Sequence, residues 1–293
     1  MSGLSVILYG SPSVKIGAGQ VGFDEFCPCD FICDYEEKVF ADSSGDTRKS
    51  DLSEVIFKKV KSSDSIVLKL YRYGQDVATL NDDTFGTYYN GFDNQPLYVA
   101  YLVDWEKVFQ QFTGGQYQIK AELDILGATQ TIESRYFRLS IWSELSANRT
   151  VKIRSVQNGN ILRSEFDYTD LLPGGWNQYM RLQGQFGNNT PTIESDNFLN
   201  TSYEKLQNQD IVSNEYELKV ENIPEELVNK LTNDNILGNQ IFVTDYYLQA
   251  SAKYIDFPVY IDSISDVSPL PNGRMNLTLI CKDRIQDVRK RNY

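Results

Sequence analysis

The chain has 293 residues, 41% hydrophobic and 23% charged, an ordinary globular balance for a length that suits about two domains. It contains no histidine, which removes Ser-His-Asp and Cys-His catalysis and mixed His/carboxylate metal sites. Net charge is −12, but residues 282–293 hold Lys282, Arg284, Arg289, Lys290 and Arg291 against Asp283 and Asp287, a net of +3 that leaves −15 on residues 1–281. A body this acidic repels phosphate backbones, so nucleic-acid binding over the whole surface is not expected.

Tyr (19) and Phe (15) far outnumber Met (3). Aromatic side chains suit pleated, half-buried surfaces, and Tyr also suits interfaces. No stretch reaches the roughly 18 apolar residues of a membrane span. The apolar patch Val6–Leu8 lacks the basic start and long apolar core of a secretory signal.

Residues 1–50, rich in Ser, Gly, Pro and Asp, read as an irregular arm with short strands near Ser5–Leu8 and Phe26–Asp34 and a solvated loop at Ala41–Asp46. Glu54–Val60 and Ser65–Tyr73 flank Lys61-Ser62-Ser63-Asp64 as a candidate hairpin. Leu97–Val103 is a third strand. Asp104 can cap a short helix whose Trp105, Val108, Phe109 and Phe112 form one apolar stripe, ended by Gly114-Gly115. Tyr117–Leu126 alternates apolar and polar residues; Gly127-Ala128 turns the chain and Thr129–Trp142 returns it.

Asn158-Gly159 between Val151–Gln157 and Asn160–Tyr168 predicts a two-residue hairpin. Asn177–Gln185 is a strand, Gly187–Pro191 a loop, and Glu215–Val220, Gln240–Asp245, Phe257–Ile264 and Arg274–Cys281 are further strands. A second short helix is expected from Pro224, favoured at a first helical position, to about Leu231. The expected fold class is mainly β: two β-sandwich or small-barrel domains, 51–145 and 146–293, each with one short helix, plus an N-terminal arm, 1–50.

Cys27, Cys29 and Cys33 cluster, and Cys281 stands apart. A zinc site would need all four, a disulfide an oxidising compartment, and reduced cysteines in a strand need neither. Glu122 and Asp124 share a strand face, as a carboxylate acid pair could, but alternation makes that face a solvated one. Asn81-Asp82-Asp83 and Asp93-Asn94 offer oxygen ligands for calcium, yet neither has the spacing of an EF-hand loop, and turn formation accounts for them. Gly17-Ala18-Gly19-Gln20-Val21-Gly22 spells a dinucleotide fingerprint without the helix such a site needs, since Pro28 follows closely. The reading is therefore no catalytic, cofactor or metal residues. The cluster Arg289, Lys290 and Arg291 is the candidate interface, either a solvated tail or a basic tail docking on the acidic body of a neighbouring copy or a different protein. DNA is its alternative partner.

Phe85-Gly86-Thr87-Tyr88-Tyr89, Val103-Asp104-Trp105-Glu106-Lys107-Val108 and Gly114-Gly115-Gln116-Tyr117, with Ile241-Phe242-Val243-Thr244-Asp245-Tyr246-Tyr247 in the second half, resemble structural proteins of phages and prophages of Bacteroidota, including crAss-like phages with short tails. The resemblance spans about residues 50–280. It implies a virion protein, made in the bacterial cytoplasm, that forms rings around a portal or tail as a homo-oligomer with other virion proteins and without a membrane. It carries no functional residue across. The alternative is a carbohydrate- or receptor-binding β-protein using Trp142, Trp176 and Tyr179, which could equally be core or interface residues.

Overall fold

The computed structural model describes residues 31–33, 52–59, 62–93, 95–125, 128–133, 137–141, 150–159, 168–169, 172–173, 175–199, 205–224, 228, 231–232, 235–245, 254–271, 273–284 and 287–290. The fold is mainly β. In the first half the elements are β1 (Phe31–Cys33), β2 (Leu52–Lys58), β3 (Ser65–Arg72), β4 (Gln75–Thr79), β5 (Gly86–Phe92), β6 (Gln95–Asp104), α1 (Trp105–Phe112), β7 (Gly115–Ile125), β8 (Ala128–Glu133) and β9 (Phe137–Ile141). One sheet runs β1-β9-β7-β3-β4, with β8 also on β7, and a second runs β2-β6-β5. The expected strand at Ser5–Leu8 and loop at Ala41–Asp46 lie outside the described residues. Of Phe26–Asp34, Phe31–Cys33 is a strand, paired in parallel with β9.

Alternation places Ile66, Leu68 and Leu70 of β3 and Tyr117, Ile119 and Ala121 of β7 on one buried face. They share a core with Tyr101 and Val103 of β6 and with Trp105 and Val108 of α1. Asp104 caps the helix, its Oδ1 accepting from the Lys107 amide at 3.4 Å. The helix ends at Thr113, which takes the left-handed conformation (φ 66°) and donates to the Phe109 carbonyl at 2.7 Å. Gly114 follows because a Cβ there would meet the Leu139 carbonyl oxygen at 2.9 Å.

Two expectations are corrected here. β2 and β3 do not form a hairpin: β2 pairs with β6, and β3 pairs with β7 and β4. The local hairpin is instead β3–β4, closed by Tyr73 (φ 47°) and Gly74 (φ 79°), the two positive-φ positions of a twist-matched turn. The return strand after β7 is split into β8 and β9, each against a different part of β7.

The second half contributes β10 (Thr150–Gln157), β11 (Trp176–Leu199), β12 (Lys205–Pro224), β13 (Gln240–Asp245), β14 (Phe257–Pro269), β15 (Arg274–Asp283) and β16 (Asp287–Lys290). The sheet order is β11-β10-β13-β14-β15-β12-β16, and β11 also pairs with β12. Six antiparallel strands therefore close into a ring, which removes edges wherever the ring is complete. Its interior holds Val151, Ile153, Leu182, Leu218, Val220, Val243, Leu277, Leu279 and Cys281. Phe186 stacks on Tyr216, and with Tyr254 and Phe257 they make tilted and edge-on pairs, all centroids 5.1–6.1 Å apart.

Gly184 makes closure possible. β11 pairs with β10 up to Gln183 and with β12 from Gly184 onward. A Cβ at Gly184 would run into the Lys219 carbonyl oxygen, so the corner admits only glycine. The Asn158-Gly159 hairpin does not form with residues 160–168, because β10 has β11 on one edge and β13 on the other. Gly187–Pro191 is no loop but an irregularity within β11, and Pro224 is the last residue of β12. Within the expected helix Val228 and Leu231 are helical and buried against the ring core; residues 225–227 lie outside the described residues.

The two halves touch through β6. Its residues 98–101 are all buried, so the strand is covered on both faces. Tyr101 faces the first core, while Tyr98 and Ala100 pack with Tyr168 and Trp176. Tyr89 and Phe92 lie 5.6 and 6.2 Å from the Trp176 ring. β11 thus starts against the β2-β6-β5 sheet.

Candidate assembly interface

The polar side chains most able to do chemistry are engaged in holding the fold. Asn81 continues the β3 ladder past the end of β4: its Oδ1 accepts from the Leu68 amide at 2.7 Å and its Nδ2 donates to the Ile66 carbonyl at 2.6 Å. Asp82 accepts from the Thr84 amide and Asp83 from the Tyr88 amide; the Thr84 contacts hold the Asp82 carboxyl below its usual range. Glu122 pairs with Lys69 at 2.9 Å, and Asp124 is exposed on the same strand face.

Arg154 donates to both oxygens of Asp256, at 3.1 and 2.8 Å, and lies 3.9 Å from the Phe242 ring centroid. That clasp ties the segment before β14 to β10. Asp283 accepts from the Asn214 amide, the Asn214 side chain and the Tyr216 hydroxyl at 2.7–2.9 Å. Burial, with the Asp283 carboxylate second, raises the Tyr216 phenol. Among the described residues no group of three or more Cys, Asp or Glu is arranged to hold a metal ion.

Cys33 sits on β1 and Cys281 in the ring interior, where burial pushes its thiol up to about 12. Cys27, Cys29 and the Gly17–Gly22 string lie outside the described residues. So does Trp142. Trp176 is fully buried, and Tyr179 is half-buried with the Lys152 ammonium 5.8 Å from its ring centroid. Trp176 therefore offers no face to a sugar.

In the second half, the open strand edge among the described residues includes two long stretches. The first is β14, which pairs with β13 only over residues 257–259. From Asp262 to Val267 every residue is exposed, with Ile264 at 45% and Val267 at 48%. This rim is blunted against strand addition by two register shifts, Ile261/Ser263 and Ile264/Asp266, and by Asp262 and Asp266.

The second is an arm. Beyond the row where Thr190 meets Glu215, β11 and β12 continue as a ribbon to Leu199 and Lys205. At roughly 3.3 Å per residue the β11 part, residues 190–199, extends about 30 Å. β16 adds a third strand: it follows β15 along the same edge of β12 after a break at residues 284–286. Among the described residues, 190–199 pair only with β12, and β16 pairs only with β12.

Arg289 and Lys290 are thus in a strand rather than a frayed end, and Arg291 lies outside the described residues. The three-stranded register sets them in rows. Ser195, Asp210 and Arg289 form one row; Asp196, Gln209 and Lys290 form the next; Glu194, Ile211 and Val288 form the one adjoining on the other side. One outer edge carries Glu194 and Asp196, and the other carries Arg289 and Lys290. The basic cluster is visible in the sequence; the acidic edge is not, because the turn-forming residues Gly187–Pro191 precede it and Ile193 is the one apolar residue of Thr192–Asp196. No protein-family model matches the chain, and no curated protein matches it either.

Proposed function

We propose that this protein is a structural subunit that works by association, a ring-forming component of the tail or neck of a phage virion, without catalytic activity or cofactor. The reading groups the chain as an N-terminal arm (1–50), a two-sheet sandwich (51–145) and a small barrel (146–293). The observation that carries it is the three-stranded arm, which runs past the closed ring with both outer edges unpaired among the described residues. Unpaired backbone donors and acceptors on a long edge are a template for another chain. The resemblance of the first half to phage structural proteins supplies the setting. Sedimentation velocity on the purified chain, with mass spectrometry of purified virions from its source, tests the reading. Defined multimers, or the chain recovered in stoichiometric amounts from particles, are expected. A monomer at every concentration that is also absent from particles overturns it.

A further inference from the structure

We infer that the arm's two edges join copies of this chain head to tail, with β16 of one copy lying beside residues 193–196 of β11 in the next, short of the register shift between Asp196 and Asn197. The inference rests on the assembly reading above and names the surface that carries it. Three observations lead to it.

The first is handedness. β16 and the outer part of β11 lie on opposite sides of β12, so one free edge faces each way across the ribbon. A surface with two different complementary edges makes a heterologous contact, which repeats and closes into a ring when the rotation allows. Both strands run antiparallel to β12 and hence parallel to each other. Ribbons set side by side with their axes aligned would therefore meet in a parallel pair.

The second is charge. Glu194 and Asp196 stand on the β11 edge; the β16 edge carries Arg289 and Lys290 against Asp287 and keeps a net positive charge. Like edges repel and unlike edges attract, so the isologous pairings are disfavoured and the head-to-tail pairing favoured. This is why a second copy, rather than a different protein, is the natural occupant.

The third is level. Asp196, Gln209 and Lys290 occupy one row. A sideways step of one ribbon, three strand spacings of about 4.8 Å each, brings Asp196 of the next copy level with Lys290. In the neighbouring row Arg289 already has Asp210 of its own chain on the adjoining strand. Lys290 is thus the basic residue that the register sets level with Asp196 of the next copy.

The test is a charge swap read by sedimentation velocity, with far-UV circular dichroism confirming that each variant is folded. Lys290→Glu alone and Asp196→Lys alone should each raise the concentration needed for multimers roughly tenfold or more, since each sets like charges against each other. The double variant, K290E with D196K, should restore assembly to within about threefold of the parent. Within one chain these residues are separated by β12, so the restoration reports contact between copies. Multimers indifferent to both single changes, or weakened by both and not restored by the double, overturn the inference and leave the assembly reading standing. A parent protein that is monomeric throughout overturns both.

Discussion

Replacing Trp176 by alanine should separate the two halves of the molecule. The indole is fully buried, with Tyr89 and Phe92 against it and Tyr98, Ala100 and Tyr168 in the same cluster. A side chain at the top of the roughly 150–250 Å² aromatic range is worth about 6 kcal/mol at about 25 cal/mol per Å². A compact unfolded state trims this by roughly 10–40%. The expected loss is therefore about 4 to 5 kcal/mol, within the usual range for deleting a buried Trp. That is a large fraction of the roughly 5–15 kcal/mol that holds a folded domain. Because the cluster joins β6 to β11, the variant should also unfold in two steps, the first-half sheets parting from the ring. Urea titrations followed by far-UV circular dichroism and by tryptophan fluorescence measure both effects. Trp176→Phe should recover more than half of the loss. A loss below about 1 kcal/mol with coincident transitions would refute the claim that this cluster couples the halves.

Two further outcomes follow from the ring itself. Gly184→Ala places a methyl group against the Lys219 carbonyl and should cost about 2 kcal/mol or more in a urea titration, whereas Gly187→Ala, with nothing within 4 Å of its new carbon, should stay within about 1 kcal/mol of the parent. Alkaline pH should weaken the fold: burial raises the Cys281 thiol to about 12 from 9.0, raises Tyr117 to about 12 from 10.0, and raises Tyr101 and Tyr216 as well. These groups ionise in the unfolded chain first, so their contribution is intact below pH 9.0 and is lost as pH rises toward about 12; urea midpoints at about pH 8 and about pH 11 measure it, and Cys281→Val should shrink the drop.

The strands were legible in the sequence wherever alternation was strong. β7 appears where apolar residues recur at every second position, β3 and β6 appear as β-prone apolar runs, and α1 appears where Asp104 caps an apolar stripe. Pairing partners were not legible. Asn158-Gly159 carries every local mark of a hairpin, yet both edges of β10 go to strands that start at Trp176 and Gln240. Those partners bury β10 on both sides, which a local turn cannot do. Tyr73-Gly74 was missed because a tyrosine rarely takes positive φ; here the turn joins strands already held by the β3–β7 ladder. Turn-forming residues misled again at Gly187–Pro191, where glycine, asparagine and proline are accommodated by an irregularity on an outer strand. The basic half of the candidate interface was visible as a cluster. Its acidic half became visible only through the register of three strands drawn from residues 193–199, 205–212 and 287–290.

The ring also fixes an order of events during synthesis. β10, its first strand, needs β13 on one side, and the clasp from Arg154 reaches a residue 102 positions later. Closure waits for β15, which bridges β14 and β12 and ends at Asp283. A growing chain therefore cannot complete this half until nearly all of it has left the ribosome. The first half depends on closer pairings, β3 with β4, β5 with β6 and β7 with β8, and can fold while the rest is being made. Until the last strand arrives, β12 and β14 wait with bare edges, and an interrupted chain ending before Arg274 exposes them both. Such fragments are the species from which aggregation starts.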